Sequence, residues 1–128
     1  MSDPNNYNQS NFYDIKEFND HFHDIPNELF CLALNIRSFS ANIDAFSAFI
    51  SQLNVIPKVL VVTETWFSRD TYMDLPGYNS FHSTRLTGRG GGVSVFVKEN
   101  IICNSLPDLC VSNSTIELCS LELIFKNE

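Results

Sequence analysis

The sequence predicts an α/β fold, and three observations carry the prediction. Residues 29–36 and 59–62 are nearly continuous apolar runs of strand length. Between them, Ile43, Phe46, Phe49, Ile50 and Leu53 recur at helical spacing. After a glycine-rich turn, Val93, Val95 and Val97 alternate with Ser94, Phe96 and Lys98 at the period of a strand. Strand, helix and strand in that order make a right-handed crossover with parallel strands, whose carboxyl ends share one edge of the sheet.

The 128 residues suit one domain with a real core: 44% are hydrophobic, 18% are charged, and Phe alone contributes 11. No apolar run approaches the ~20 residues of a membrane span. The start, Met1-Ser2-Asp3-Pro4-Asn5-Asn6, lacks the basic and apolar regions of a secretory signal. An intracellular location, nuclear or cytoplasmic, with no membrane partner, is therefore expected. Cys31, Cys103, Cys110 and Cys119 show no CxxC spacing and have no His near enough to complete a zinc site. They read as inert thiols, with Cys31 a small core residue. The formal net charge of −7 opposes non-specific binding to nucleic acid. The acids concentrate in residues 1–30, whereas Arg69, Arg85, Arg89 and Lys98 outnumber Asp70 and Asp74 in residues 66–98.

Residues 1–10 are Asn-rich and read as a disordered leader, and residues 11–128 as the domain. Phe12, Ile15, Phe18 and Phe22 mark a short helix that ends by Pro26. His21 and His23, two residues apart, do not aim at one ion from a helix and read as surface residues. Ser38, Ser40 and Asn42 are candidate N-caps for the next helix. Asp74-Leu75-Pro76-Gly77-Tyr78 reads as a turn into a strand through Phe81. Thr87-Gly88-Arg89-Gly90-Gly91-Gly92 leads into a strand, not a helix, and no Lys-Ser/Thr follows. Dinucleotide and Walker phosphate loops are thereby excluded. Residues 100–115 read as an irregular link, and residues 116–125 as one last strand.

Asn35 and Glu64 end the two parallel strands, at the edge where open α/β sheets bind ligands. A carboxylate beside an amide there suggests a divalent-metal phosphodiesterase site. Mg²⁺ takes one or two carboxylates plus waters and phosphate oxygens, and an amide can orient a phosphate while bracing the carboxylate. Each has an ordinary alternative: Glu64 as a strand-end carboxylate in solvent, Asn35 as a turn residue. Trp66 is either packing beneath the site or a stacking surface for a sugar or base. Arg85 and Arg89 flank the glycine turn and either meet a DNA backbone or stand exposed. His82 has no acidic neighbour in sequence and is not assigned as a base.

These residues fall in a family order: Leu34-Asn35-Ile36-Arg37-Ser38, Thr63-Glu64-Thr65-Trp66, Pro76-Gly77-Tyr78, Arg89-Gly90-Gly91-Gly92-Val93-Ser94-Val95-Phe96-Val97 and Ile116-Glu117. The set resembles the N-terminal half of an endonuclease/exonuclease/phosphatase domain, specifically the apurinic-type endonuclease of non-LTR (LINE-like) retrotransposons. The resemblance implies the N-terminal half of a four-layer α/β sandwich (DNase I-like), an incomplete mixed sheet with flanking helices. It implies a Mg²⁺-dependent phosphodiesterase that nicks DNA, with Asn35 as the first site asparagine and Glu64 as the metal-binding glutamate. Glu117 matches an acidic residue of the retroelement branch and is given no catalytic role. The family's later Tyr-Arg-Pro-Pro-like, Asp-x-Asn and Ser-Asp-His-like motifs are not in these 128 residues. On their own the residues present are thus expected to be inactive and prone to self-association through an uncovered sheet. Another metal-dependent phosphoesterase branch of the superfamily, or a non-enzymatic remnant or interaction module, are the alternatives.

Overall fold

The computed structural model describes residues 11–23 and 29–126. The expected leader and Pro26 lie outside the described residues. The first helix, α1 (Ile15–His21), starts at a capping box in which Asp14 and Glu17 each accept the other's backbone N–H. Asn19 ties α1 to the end of the second helix: its Nδ2 donates to the Gln52 carbonyl at 2.7 Å, and its Oδ1 accepts from Asn54 N–H at 2.8 Å.

The centre is a mixed four-stranded sheet built from β1 (Cys31–Asn35), β2 (Val59–Thr63), β3 (Tyr78–Ser83) and β4 (Val93–Lys98), in the order β1-β2-β4-β3. β1 and β2 are parallel, in the register Leu32 to Leu60 and Asn35 to Thr63. β4 runs antiparallel to both β2 and β3. The crossover between β1 and β2 is the helix α2 (Phe39–Ser51). Of the three candidate caps, Ser38 is the one used: its hydroxyl accepts from Ala41 N–H at 3.4 Å.

Alternation along the strands divides the core in two. Leu60, Val62 and Phe96 face α2 and join Ile36, Phe39, Phe46 and Phe67 in one cluster. Phe39 is the hub, with ring centroids 6.0 Å from Phe46, 5.2 Å from Phe67 and 5.6 Å from Phe96. On the other face, Val59, Val95, Val97 and Ile101 form a second cluster with Val61, Phe81, Cys103, Leu121 and Leu123. The last two belong to β8 (Leu121–Ile124), which pairs with β5 (Ile102–Ser105) in a separate two-stranded ribbon. The layers are therefore helix, sheet and ribbon. A second small ribbon joins β6 (Val111–Ser112) to β7 (Glu117–Leu118). No helix among the described residues is long and apolar enough to cross a membrane.

Four expectations are corrected. β1 is not covered on both faces: Cys31, Ala33 and Asn35 are exposed, because β1 is an edge strand and the second cluster draws no residue from it. Cys31 is accordingly a surface thiol, not a core residue. Residues 116–125 form two strands, since β7 and β8 pair with different partners, and Ser120 at the break donates its hydroxyl to the Leu109 carbonyl at 2.8 Å. Residues 100–115 are not irregular: they hold β5, a 3-10 turn at Pro107–Leu109 and β6. Asn104, Ser105 and Ser112 dilute the apolar pattern by which such short strands are recognised. Ile102, Leu109, Val111, Ile116, Leu118, Ile124 and Phe125 in this region keep exposed apolar surface.

Candidate metal and phosphate site at the carboxyl edge

Beyond the ends of β1 and β2 the two chains remain hydrogen-bonded. Ile36 N–H donates to the Thr63 carbonyl at 3.0 Å, Ser38 N–H to that of Glu64 at 2.8 Å and Phe39 N–H to that of Thr65 at 2.9 Å. Trp66 N–H donates to the Gly91 carbonyl at 2.9 Å, so the glycine turn is stitched to the same edge. Four non-glycine residues here have positive φ: Arg37 (46°), Ser38 (81°), Glu64 (57°) and Trp66 (57°). Each such residue costs about 1–2 kcal/mol relative to ordinary backbone. All four concentrate at one strand edge, where backbone hydrogen bonds hold the strained conformation.

Glu64 is the centre of this edge. Its Oε2 accepts from Trp66 Nε1 at 2.9 Å and from Gly91 N–H at 3.3 Å. These two donors, the indole first, hold the carboxyl below its usual range, and the Arg85 charge adds to them. The group is therefore an anion at neutral pH. Both hydrogen bonds fall on Oε2, and among the described residues none falls on Oε1. Trp66 is half-buried, and the Arg89 guanidinium lies over its ring, 5.5 Å from the centroid. Trp66 is thus neither pure packing nor a bare stacking surface. It is a donor to Glu64 with a cation on its face.

Asn35 pairs with Thr63 in the sheet, one residue before Glu64, and is exposed. The structure brings Asn35 and Glu64 to one edge, and no hydrogen bond joins their side chains among the described residues. Arg85 is engaged: its Nε donates to Glu117 Oε1 at 2.8 Å and its Nη1 to the Arg89 carbonyl at 3.3 Å. Glu117 Oε2 also accepts from Gly92 N–H. Glu117 is the residue whose part in this cluster sequence reasoning missed. It lies 32 positions from Arg85 on a two-residue strand, and no local spacing links them.

The donor set suits a hard cation held by few protein ligands. Glu64 supplies one ionised oxygen donor, and no group of three or more His, Cys, Asp or Glu among the described residues forms a closed metal cage. A single carboxylate is an oxygen donor of the kind Mg²⁺ takes alongside waters and phosphate oxygens. His82 pairs with Ser94, which also pairs with Val62, one residue inside the same edge. Its Nδ1 lies 2.7 Å from Ser94 Oγ, its ring stacks on Tyr72 with centroids 4.5 Å apart, and burial lowers its pKa against the opposing pull of Asp74.

Comparison with known proteins finds no matching family model, no matching curated protein and no matching solved structure.

Proposed function

We propose that this chain carries the metal-carboxylate portion of a Mg²⁺-dependent phosphodiesterase site of the endonuclease/exonuclease/phosphatase kind, with DNA as the substrate class. The observation that carries the reading is Glu64: an anionic strand-end carboxylate in a left-handed backbone conformation, held on one oxygen by Trp66 and Gly91, beside Asn35 at the carboxyl edge of a parallel strand pair. The layering supports the same reading, since a helix covers one face of the mixed sheet and a β-ribbon the other, as in part of a two-sheet sandwich.

In this proposal Glu64 holds the Mg²⁺ ion, which supplies charge stabilisation to a phosphate when bound. Asn35 orients a phosphate oxygen with its amide. Arg89 and the face of Trp66 meet the nucleic-acid backbone or a base, while Arg85 contributes positive potential even when paired with Glu117. One carboxylate and one amide do not supply a base or a positioned nucleophile. These residues on their own are therefore a binding site and not a complete catalyst.

The test uses the single tryptophan. Its indole N–H gives one resonance, hydrogen-bonded to the proposed metal ligand, so Mg²⁺ binding at Glu64 displaces it saturably. Glu64→Gln should abolish that response. A wild-type spectrum indifferent to Mg²⁺ sinks the proposal. A supercoiled-plasmid nicking assay with Mg²⁺, beside Glu64→Gln and EDTA controls, reads whether these residues also cut; the expectation is no cutting above the controls.

A further inference from the structure

Two carboxylates from distant strands take consecutive amides of one glycine turn. Gly91 N–H points to Glu64 Oε2 at 3.3 Å, and Gly92 N–H points to Glu117 Oε2. Gly90, Gly91 and Gly92 have no side chains with which to hold this shape, and all three lie at positive φ, from 70° to 90°. Glycine is the most conformationally free residue, so such a turn needs outside partners to keep one geometry. Glu117 supplies them. Its Oε2 fixes the Gly92 amide, and its Oε1 anchors Arg85, whose Nη1 holds the Arg89 carbonyl at the start of the same turn.

We infer that Glu117 is a positioning residue for the Glu64 site: through Gly92 and Arg85 it clamps the glycine turn so that Gly91 N–H and Trp66 keep the Glu64 carboxylate in its binding pose. The packing leaves no slack in the clamp. A methyl group on Gly91 would run into Glu117 Oε1 and lie 2.7 Å from the Arg85 guanidinium carbon. Glu117 itself is half-buried, and its side chain is less exposed than that of Arg85 (15% against 42%), so the carboxylate is the fixed end of the pair. The backbone continuing from the turn closes the circuit, because Trp66 N–H donates to the Gly91 carbonyl. Displacing Gly91 therefore displaces both donors to Glu64 together. The inference rests on the metal-site reading for its purpose, but the clamp itself is a property of the metal-free chain.

The experiment measures the clamp without metal first. Hydrogen exchange of the Gly91 and Gly92 amides and of the Trp66 indole N–H is compared in wild type, Glu117→Gln and Glu117→Ala, with the amides of β4 as a folding control. Glu117→Ala should speed exchange at all three positions at least about tenfold, the factor that corresponds to losing ~1.4 kcal/mol of local protection. Glu117→Gln keeps one acceptor oxygen but turns an amide N–H₂ towards a donor, so it should fall between. Unchanged exchange at Gly91 and the indole in Glu117→Ala overturns the inference. Should Glu117→Ala lose protection in β4 as well, Arg85→Ala, which leaves the Gly92 contact intact, takes its place: loosening at Gly91 and the indole with β4 protected supports the clamp, and no loosening there overturns it. A Mg²⁺ titration of the same proteins then separates the two readings. Weakened Mg²⁺ response in Glu117→Ala supports the role assigned to the clamp, whereas wild-type protein that ignores Mg²⁺ while the clamp behaves as described overturns the metal-site reading alone.

Discussion

Thr65 lies directly beneath Gly92: a Cβ at Gly92 would stand 2.6 Å from the Thr65 hydroxyl oxygen. That hydroxyl is fully buried and has no hydrogen-bond partner among the described residues. The close approach lets the Thr65 N–H reach the Gly92 carbonyl at 3.4 Å and brings the glycine turn down onto the strand edge.

Gly92→Ala is expected to be far more harmful than Gly88→Ala. Both glycines have positive φ, 89° and 83°, so both substitutions carry the left-handed backbone cost of about 1–2 kcal/mol. Only at Gly92 does the new methyl meet a buried neighbour, which adds an overpacking cost of roughly 1–3 kcal/mol. Urea unfolding should show the difference. Equal losses at the two sites would mean that the turn is not seated on Thr65.

Thr65→Val should be neutral or stabilising. Removing a buried hydroxyl that has no partner relieves a desolvation penalty of about 1–3 kcal/mol while keeping a branched side chain of similar shape. Unfolding free energy is again the measure. A clear loss of stability would show that the hydroxyl is satisfied in solution, most simply by a buried water.

Stability should fall as the solution is acidified through the histidine range, and His82 should account for part of the fall. Burial lowers its pKa in the folded chain below the ordinary value of about 6.5. The unfolded state then binds the proton more readily, so the contribution is complete above the unfolded pKa and is lost as pH falls towards the folded one. Thermal unfolding of wild type and His82→Gln between neutral and mildly acidic pH tests the sign. A mutant with the same pH slope as wild type would remove His82 as the cause.

The four thiols should alkylate in an order set by exposure. Cys31 is exposed on the edge strand, whereas burial pushes the Cys119 thiol up to about 11, with Cys110 contributing. The thiolate is the nucleophile, so Cys119 should react slowly at neutral pH and Cys31 quickly. Mass spectrometry of partially alkylated native protein reads the order directly. Faster labelling at Cys119 would contradict the packing of the small ribbons.

The legible part of this fold is the stretch from α2 to β4. Val59, Leu60, Val61 and Val62 announce β2, the stripe from Ile43 to Ile50 announces α2, and alternation announces β4, because each element is long enough to show its own period. Ser38 was one of three possible caps, and only the path of the backbone out of β1 selects it. Cys31 and Ala33 look like core residues because apolar runs carry no mark of which strand stands at an edge. β5 and β6 escape, and β7 and β8 read as a single strand, because two- to four-residue strands hold too few side chains to display a period.

By itself the sequence determined that a carboxylate and an amide stand at the carboxyl edge of two parallel strands. Strand length, helical period and crossover handedness are local properties that fix which residues end there. Only the tertiary structure decided how Glu64 is held. Trp66 beside it, Arg85 and Gly91 in the connection between β3 and β4, and Glu117 come from three separate segments of the chain, and the hydrogen bonds that join these segments form only once the glycine turn has folded over the edge.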